Sequence, residues 1–167
     1  MAAPGSHLIG MMDPVGKPEF SWRADKSVPA FDDAGTIAVM DGSCVLCMSW
    51  ARLIDRLDHS GRIRICPSQT PLGAALLAHF GMDPQDPESW LVLDRGQAHG
   101  ALDGIVVLGQ TVGGIGRVLT WLGALPKPVR DWIYRRIARN RFSLMGRRAS
   151  CALPTPGLQA RLVEPFA

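Results

Sequence analysis

The sequence predicts an α/β domain in which short buried strands alternate with helices. Residues 37–40 form a short apolar run bounded by Gly35 and Gly42, which is typical of a buried strand. The next segment carries apolar residues at the spacing of one helical face, namely Trp50, Leu53, Ile54 and Leu57. A strand followed at once by an amphipathic helix is the first unit of such a domain.

The later elements repeat this order and then change it. Residues 62–67 alternate in polarity and end at Pro67, which predicts a second strand. A second helix is marked by Leu72, Ala75, Leu76 and Phe80 and stops at Gly81. Residues 89–93 and 97–99 flank the turn Asp94-Arg95-Gly96 and predict a β-hairpin.

Helical patterns occupy the rest of the chain, from residue 103 to about 123 and from 128 to about 140. Pro128 suits the first turn of the last helix. The complete order, βαβα and then a hairpin, is that of a thioredoxin-like domain with a helical C-terminal extension. It also fits other small α/β sandwiches.

The chain of 167 residues is long enough for one domain with its own core. Residues 1–34 are rich in Pro, Gly, Ala and Asp and show no period, which predicts a flexible N-terminal arm. Trp22 and Phe31 could attach this arm to the domain surface. Residues 35–163 are expected to form the single domain.

Composition indicates a cytoplasmic protein with reduced thiols. Four cysteines do not make a dense disulfide framework, and residues 1–12 lack the basic and apolar regions of a signal peptide. The net charge of +3 implies no partner by itself. Arginines are dense between Lys127 and Arg148, but most such runs are solvated helix faces. Without interleaved aromatic residues or an RNA-binding module, we expect no nucleic-acid partner.

Residues 105–125 are the most apolar stretch. Gln110, Thr111, Arg117 and several glycines interrupt it, so a buried helix pair is expected and a membrane span is not. The sequence gives no indication of the oligomeric state.

Cys44 and Cys47 form a Cys-x-x-Cys pair at the first strand-to-helix junction. The positive end of a helix dipole stabilises a thiolate, the species that attacks disulfides. We therefore expect Cys44 to be an exposed nucleophile in a loop and Cys47, one turn later on the same face, to be the resolving thiol.

A structural metal site is the alternative for the cysteine pair. Four-ligand sites usually show a second Cys-x-x-Cys or a histidine pair, and here Cys66 and Cys151 would have to contribute singly. Redox chemistry is favoured, with neither a metal nor an organic cofactor expected. Cys66 follows the alternation of its strand and is expected to be buried and inert.

Two neighbours of the pair are further candidates. Asp41 could accept a proton from Cys47 during resolution, or it could only stabilise the turn that follows it. If it is ionised and close, it would raise the pKa of Cys44. Gly42 is expected to relieve a backbone position that a side chain would strain.

These residues resemble a known family. Asp41-Gly42-x-Cys44-x-x-Cys47 and a C-terminal signature resemble the DCC family of thiol-disulfide oxidoreductases over about residues 36–163. The signature comprises Pro126 to Tyr134, Asn140-Arg141-Phe142, Gly146, Cys151 and Leu153-Pro154-Thr155-Pro156. The resemblance implies a thioredoxin-like fold and a protein or small-molecule disulfide or thiol as substrate.

The resemblance also singles out two supporting residues. The guanidinium of Arg141, if adjacent, would lower a thiol pKa. Cys151 could be a third exchange partner, a ligand, or a small buried residue. Thioredoxin has a cis-proline where this chain has Ser89, so a partner would be engaged differently. The alternative function is a non-enzymatic zinc-binding or redox-sensing module whose basic C-terminal face contacts an anionic partner.

Overall fold

The computed structural model describes residues 16–85, 87, 89–145 and 155–166, with only the backbone of residues 138, 139 and 141–145. Its sheet has four strands: β1 (Thr36–Met40), β2 (Ile63–Pro67), β3 (Leu91–Asp94) and β4 (Gln97–Gly100). The spatial order is β2-β1-β3-β4; β1 pairs parallel to β2 and antiparallel to β3, and β3 pairs antiparallel to β4.

The helices are α1 (Val45–Leu57), α2 (Pro71–His79), α3 (Ala101–Val112), α4 (Lys127–Met145) and α5 (Pro156–Ala160), and Ser21–Ala24 and Gly114–Ala124 are 3-10 helical. The predicted α/β class and its thioredoxin-like order with a helical extension are confirmed.

Two apolar cores lie on opposite faces of the sheet, because successive residues of a strand point to opposite sides. Ile37 and Val39 join one core together with Cys66. Ala38 and Met40 join the other, which also contains the two cysteines of the pair. All of β1 is buried, as expected for a strand with both faces covered.

The hairpin turn follows from two left-handed residues. Arg95 and Gly96 have φ angles of 46° and 84°, which is the type I′ pattern that suits the twist of paired strands. A Cβ atom at Gly96 would lie 2.4 Å from the ring of Phe20, so glycine is needed there for space as well.

The helix α1 buries Cys47, Ala51 and Ile54, which recur at helical spacing. Leu53, expected on this inner face, is 41% exposed. The helix therefore faces the sheet through Cys47, Ala51 and Ile54, and Ile54 alone of the four residues on the predicted face is buried.

The helix predicted over residues 103–123 is divided in the structure. It ends at Val112, and Gly113 and Gly114 take φ angles of 70° and 49° before the 3-10 segment begins. That segment leaves Ile115, Val118 and Trp121 between 64% and 78% exposed, so the expected burial of the second helix is wrong.

The last long helix begins as predicted, with Pro128 in its first turn, and continues to Met145. Among the helices that the structure describes, none combines the length and the apolar character needed to cross a membrane.

The described part of the N-terminal arm packs on the domain. Trp22 and Phe31 are only 2% and 7% exposed and enter the first core with Val28. The indole N–H of Trp22 also donates to Asp33 Oδ2 over 2.9 Å. Both predicted anchors thus contact the domain, while the boundary placed at residue 34 stays a prediction.

The C-terminal segment runs beside β2 and is bonded to the C-terminal end of α1. The N–H of Val163 donates to the Ile65 carbonyl over 3.0 Å, and the N–H of Ile65 donates to the Arg161 carbonyl over 2.8 Å. Arg161 also forms ion pairs of 2.8 Å with Asp55 and with the fully buried Asp58. These contacts hold α5 against α1.

Candidate redox site

The cysteine pair lies where β1 gives way to α1. Cys44 is the N-cap residue of α1; its N–H donates to the Asp41 carbonyl over 3.3 Å, and its carbonyl accepts from the Met48 N–H over 3.0 Å. The predicted position at the helix N-terminus is therefore confirmed. The unpaired amides and the dipole of the first turn favour negative charge at this place.

Both sulfur-bearing side chains are covered. Cys44 is 0% and Cys47 is 1% exposed, and both belong to the apolar core beneath α1. The expectation that Cys44 is exposed in a loop is therefore wrong. Its loop is short, and the first turn of α1 carries both cysteines into the core.

The two cysteines carry thiols, and their side chains are hydrogen-bonded to each other. This hydrogen bond is the main reason why the pKa of Cys47 lies far above its usual range, and burial raises it further. The negative charge of Asp41 adds to the increase, whereas a hydrogen bond from Trp90 opposes it. The raised pKa keeps the Cys47 thiol protonated at neutral pH.

Trp90 is a site residue that the sequence analysis missed. Its indole Nε1–H donates to Cys47 Sγ over 3.1 Å, and its ring packs edge-on against Trp50 with 5.8 Å between centroids. The backbone N–H of Trp90 donates to the hydroxyl of Tyr134 over 3.2 Å. A buried indole needs an acceptor, so a tryptophan at the start of a core strand was the available signal.

The loop that carries Cys44 is held by a carboxylate and an amide. Asp41 is buried, and its Oδ1 accepts hydrogen bonds from the Ser43 N–H, the Ser43 hydroxyl and the Gln69 amide at 2.7–2.8 Å. Gln69 Oε1 in turn accepts from the Gly42 N–H over 3.0 Å. These bonds support the loop-stabilising interpretation of Asp41, and its role as a base stays a prediction.

Gln69 was not anticipated, because nothing in the spacing of the sequence connects it to residues nearly thirty positions earlier. The parallel pairing of β1 and β2 makes the connection by ending both strands at one edge of the sheet. Gly42 has no positive φ angle, so the backbone strain expected there is not found.

Cys66 is buried as predicted and lies apart from the pair. It pairs with Val39 on β1 and points into the opposite core, where burial raises its pKa to about 11. It therefore cannot join Cys44 and Cys47 as a metal ligand. Within the part of the chain that the structure describes, no three His, Cys, Asp or Glu side chains gather as a metal site.

Two of the predicted supporting residues cannot be placed at the site. Arg141 lies on α4, but its side chain is outside the described residues, and Cys151 is outside them altogether. Their proposed contributions stay predictions.

Comparison with known proteins identifies similar sequences over most of the chain. The DCC1-like thiol-disulfide oxidoreductase family model matches residues 38–147. The uncharacterised protein YuxK of Bacillus subtilis is 29% identical over 127 residues, covering 76% of this chain and 93% of YuxK. A chloroplastic DCC family protein of Arabidopsis thaliana is 24% identical over 140 residues, covering 83% of this chain and 81% of its own.

No solved structure shows a significant match to the chain. The family match begins inside β1, includes both cysteines of the pair, and extends past the end of α4. The match therefore spans about two thirds of the chain and includes the cysteine pair described above. The chain belongs to the DCC1-like thiol-disulfide oxidoreductase family.

Proposed function

We propose that the protein catalyses thiol-disulfide exchange, with Cys44 as the nucleophile and Cys47 as the resolving thiol. The observation that carries the proposal is the hydrogen-bonded pair of thiols at the start of α1. Cys44 lies at the helix N-terminus, where the dipole favours a thiolate, whereas the raised pKa of Cys47 keeps that thiol protonated until the resolving step.

The reaction proceeds in two exchanges. The Cys44 thiolate attacks one sulfur of a substrate disulfide; a Cys44–substrate disulfide forms, the substrate disulfide breaks, and the first substrate thiolate takes up a proton. Cys47 then loses its proton and attacks Cys44 Sγ, which releases the second substrate thiolate. The substrate gains two electrons, and Cys44 and Cys47 become a disulfide.

Turnover requires an external thiol that reduces the Cys44–Cys47 disulfide. The proposed compartment is therefore the cytoplasm, where thiol reductants are maintained. Since Cys44 is fully covered in the described arrangement, a local displacement has to uncover its sulfur before attack. Trp90 acts in the second step, because its hydrogen bond stabilises the Cys47 thiolate.

Trapping of the mixed disulfide tests this assignment. The reduced Cys47→Ser variant is mixed with insulin, quenched with acid and analysed by mass spectrometry. We expect insulin chains attached at Cys44, whereas the Cys44→Ser variant should neither trap insulin nor reduce its disulfides. Cys66→Ala is the matched control and should reduce insulin like the unaltered protein, since Cys66 lies across the sheet.

Attachment at Cys47 in the Cys44→Ser variant, with turnover retained, would reverse the roles of the two cysteines. Metal analysis of protein purified without chelator examines the competing zinc-binding module. Stoichiometric zinc that is lost in Cys44→Ser would support that module against the exchange reaction.

A further inference from the structure

An apolar pocket of about 240 Å³ opens beside the redox pair, between α1, α5 and the carboxyl ends of β1 and β2. Most of its walls are aliphatic or thioether side chains, namely Met40, Met48, Ala51, Ile65, Leu158 and Leu162. Gly42, Gln69 and Thr70 contribute the small polar part of the lining. A pocket of this composition favours an apolar occupant.

Three residues of the pocket wall belong to the redox site or adjoin it. Gly42 lines the pocket and lies two positions before Cys44, and Met48 lines it and directly follows Cys47. Gln69 lines the pocket too, and its amide group bonds both Asp41 and the Gly42 N–H. A substrate whose sulfur reaches Cys44 therefore brings its neighbouring atoms to this pocket.

The opposite flank of the site, on the side of β3, is already occupied by the protein itself. The N–H of Trp90 is bonded to Tyr134, and the indole of Trp90 covers Cys47. The hydroxyl of Ser89 accepts from the Ala101 N–H over 2.7 Å and donates to the Trp90 carbonyl over 3.0 Å. Because these groups are paired internally, we expect the substrate to bind on the β2 side of the site, where the pocket lies, and not on the β3 side.

The size of the pocket limits what it can hold. Pockets for drug-sized ligands and cofactors enclose roughly 300–1,000 Å³. The volume of about 240 Å³ is smaller and suits a single large side chain. The lining carries no charged residue, so a charged occupant would be desolvated without a partner.

We propose that this pocket is a substrate subsite that binds an apolar side chain next to the reacting cysteine of a peptide disulfide. The subsite rests on the proposed exchange activity and specifies its substrate class. Burial of the apolar side chain supplies binding energy that is used while Cys44 is uncovered and attacked. The protein thus prefers disulfides flanked by apolar residues to those flanked by polar residues of the same size.

Two blocked dipeptide disulfides of matched size test the proposal: the disulfides of acetyl-Cys-Leu-amide and of acetyl-Cys-Asn-amide. The reduced full-length protein is mixed with each, and the rate of protein oxidation is followed by acid quenching and mass spectrometry. We expect the leucine peptide to react roughly tenfold faster, since burial of a leucine side chain is worth at least about 1.5 kcal/mol.

Substitution of the pocket walls should remove this preference. Met48→Lys and Leu162→Lys place a charge in the pocket from two different segments, α1 and the residues after α5, and the ratio of the two rates is expected to fall close to one in each variant. Leu53→Lys is the matched control, because it puts the same side chain on α1 at a position that is 41% exposed and outside the pocket. It should keep the preference of the unaltered protein.

The outcomes separate this proposal from the function on which it rests. Equal rates for both peptides in the unaltered protein, or an equal loss of preference in Leu53→Lys, would overturn the subsite and leave the exchange activity standing. If neither peptide oxidises the protein, and insulin is not reduced either, then the proposed function itself is wrong.

Discussion

The indole N–H of Trp90 donates a hydrogen bond to the sulfur of Cys47 across 3.1 Å, inside a core where both side chains are buried. The positive end of this N–H dipole points at the sulfur that has to become a thiolate in the resolving step. The hydrogen bond with Cys44 and the burial of Cys47 raise the pKa of Cys47, whereas the hydrogen bond from Trp90 lowers it.

Replacement of Trp90 by Phe should therefore slow resolution. Loss of a hydrogen bond to a charged group costs about 1.5–3 kcal/mol, so the pKa of Cys47 should rise. At a fixed pH below that pKa, the mixed disulfide should persist on the order of tenfold longer. Rapid acid quenching and mass spectrometry measure its lifetime directly.

The control for this variant is Trp50→Phe. Trp50 packs edge-on against Trp90 and gives no hydrogen bond to Cys47, so its replacement removes aromatic contact alone. An equally long-lived mixed disulfide in Trp50→Phe would show that packing, and not the indole N–H, governs the resolving step.

Tyr134 acts on the same step at one remove, because its hydroxyl accepts the backbone N–H of Trp90 over 3.2 Å. Tyr134→Phe leaves that buried N–H without this acceptor and should destabilise the protein by about 1–3 kcal/mol, measured by urea unfolding. We expect the lifetime of the mixed disulfide to rise less than in Trp90→Phe, as suits a positioning residue. An effect on lifetime larger than that of Trp90→Phe would contradict this order.

The two interpretations of Asp41 can be separated by a pair of substitutions. Asp41→Asn keeps an oxygen for the Ser43 and Gln69 hydrogen bonds but removes the charge. Because that charge raises the pKa of Cys47, its removal should lower this pKa, and resolution should not become slower. Asp41→Ala removes the hydrogen bonds as well and should cost about 1–3 kcal/mol in the free energy of unfolding.

The lifetime of the mixed disulfide and urea unfolding distinguish these results. If Asp41 is the base that accepts the Cys47 proton, then Asp41→Asn should accumulate the mixed disulfide even though its fold is intact. That accumulation would show that Asp41 acts as the base in the resolving step and does not only stabilise the loop.

Much of the fold could be predicted from local pattern. The run at residues 37–40 and the turn at Arg95-Gly96 specify their elements through apolar content and left-handed backbone, which are properties of neighbouring residues. A helix pair was expected within residues 105–125, but the point of division was not located, because apolar residues continue on both sides of Gly113 and Gly114. The Gly113-Gly114 dipeptide is a local signal for a helix end, and the backbone angles confirm it.

The site was less predictable for a related reason. Cys44 at the N-cap of α1 follows from the strand-to-helix junction alone. Its burial, and the contacts of Trp90 and Gln69, arise from strand pairing between distant segments, which leaves no short-range signal. The wrong expectation of exposure came from treating the junction as an open loop.

Cys66 should differ from the redox pair in reactivity. Burial raises its pKa to about 11, so only about one thiol in a thousand is ionised at pH 8. It also lies within β2, whose backbone is paired with β1. We expect iodoacetamide at pH 8 to modify Cys44 in the folded protein, and Cys66 only after unfolding. If peptide mapping shows that Cys66 in the folded protein is modified at a rate similar to that of Cys44, this expectation is wrong.

The anchoring of the C-terminal segment should depend on pH through Asp58. Although burial alone would raise its pKa, hydrogen bonds from Ile63, Ser60 and Arg161 lower it below the usual value. A carboxyl group whose pKa is lower in the folded state contributes stability above the unfolded pKa of about 4, and this is lost as the pH falls through the folded value.

The substitution Asp58→Asn breaks the buried pair with Arg161 and should cost about 3–5 kcal/mol at pH 7. Urea unfolding at pH 7, 5 and 3.5 should then show a smaller loss of stability on acidification than in the unaltered protein, because the group that titrates is gone. Asp32→Asn is the control, since its pair with Arg64 is half exposed and should be worth less than about 1 kcal/mol. Parallel pH curves for Asp58→Asn and the unaltered protein would mean that Asp58 does not carry this dependence, and that the segment lining the apolar pocket is held by its packing instead.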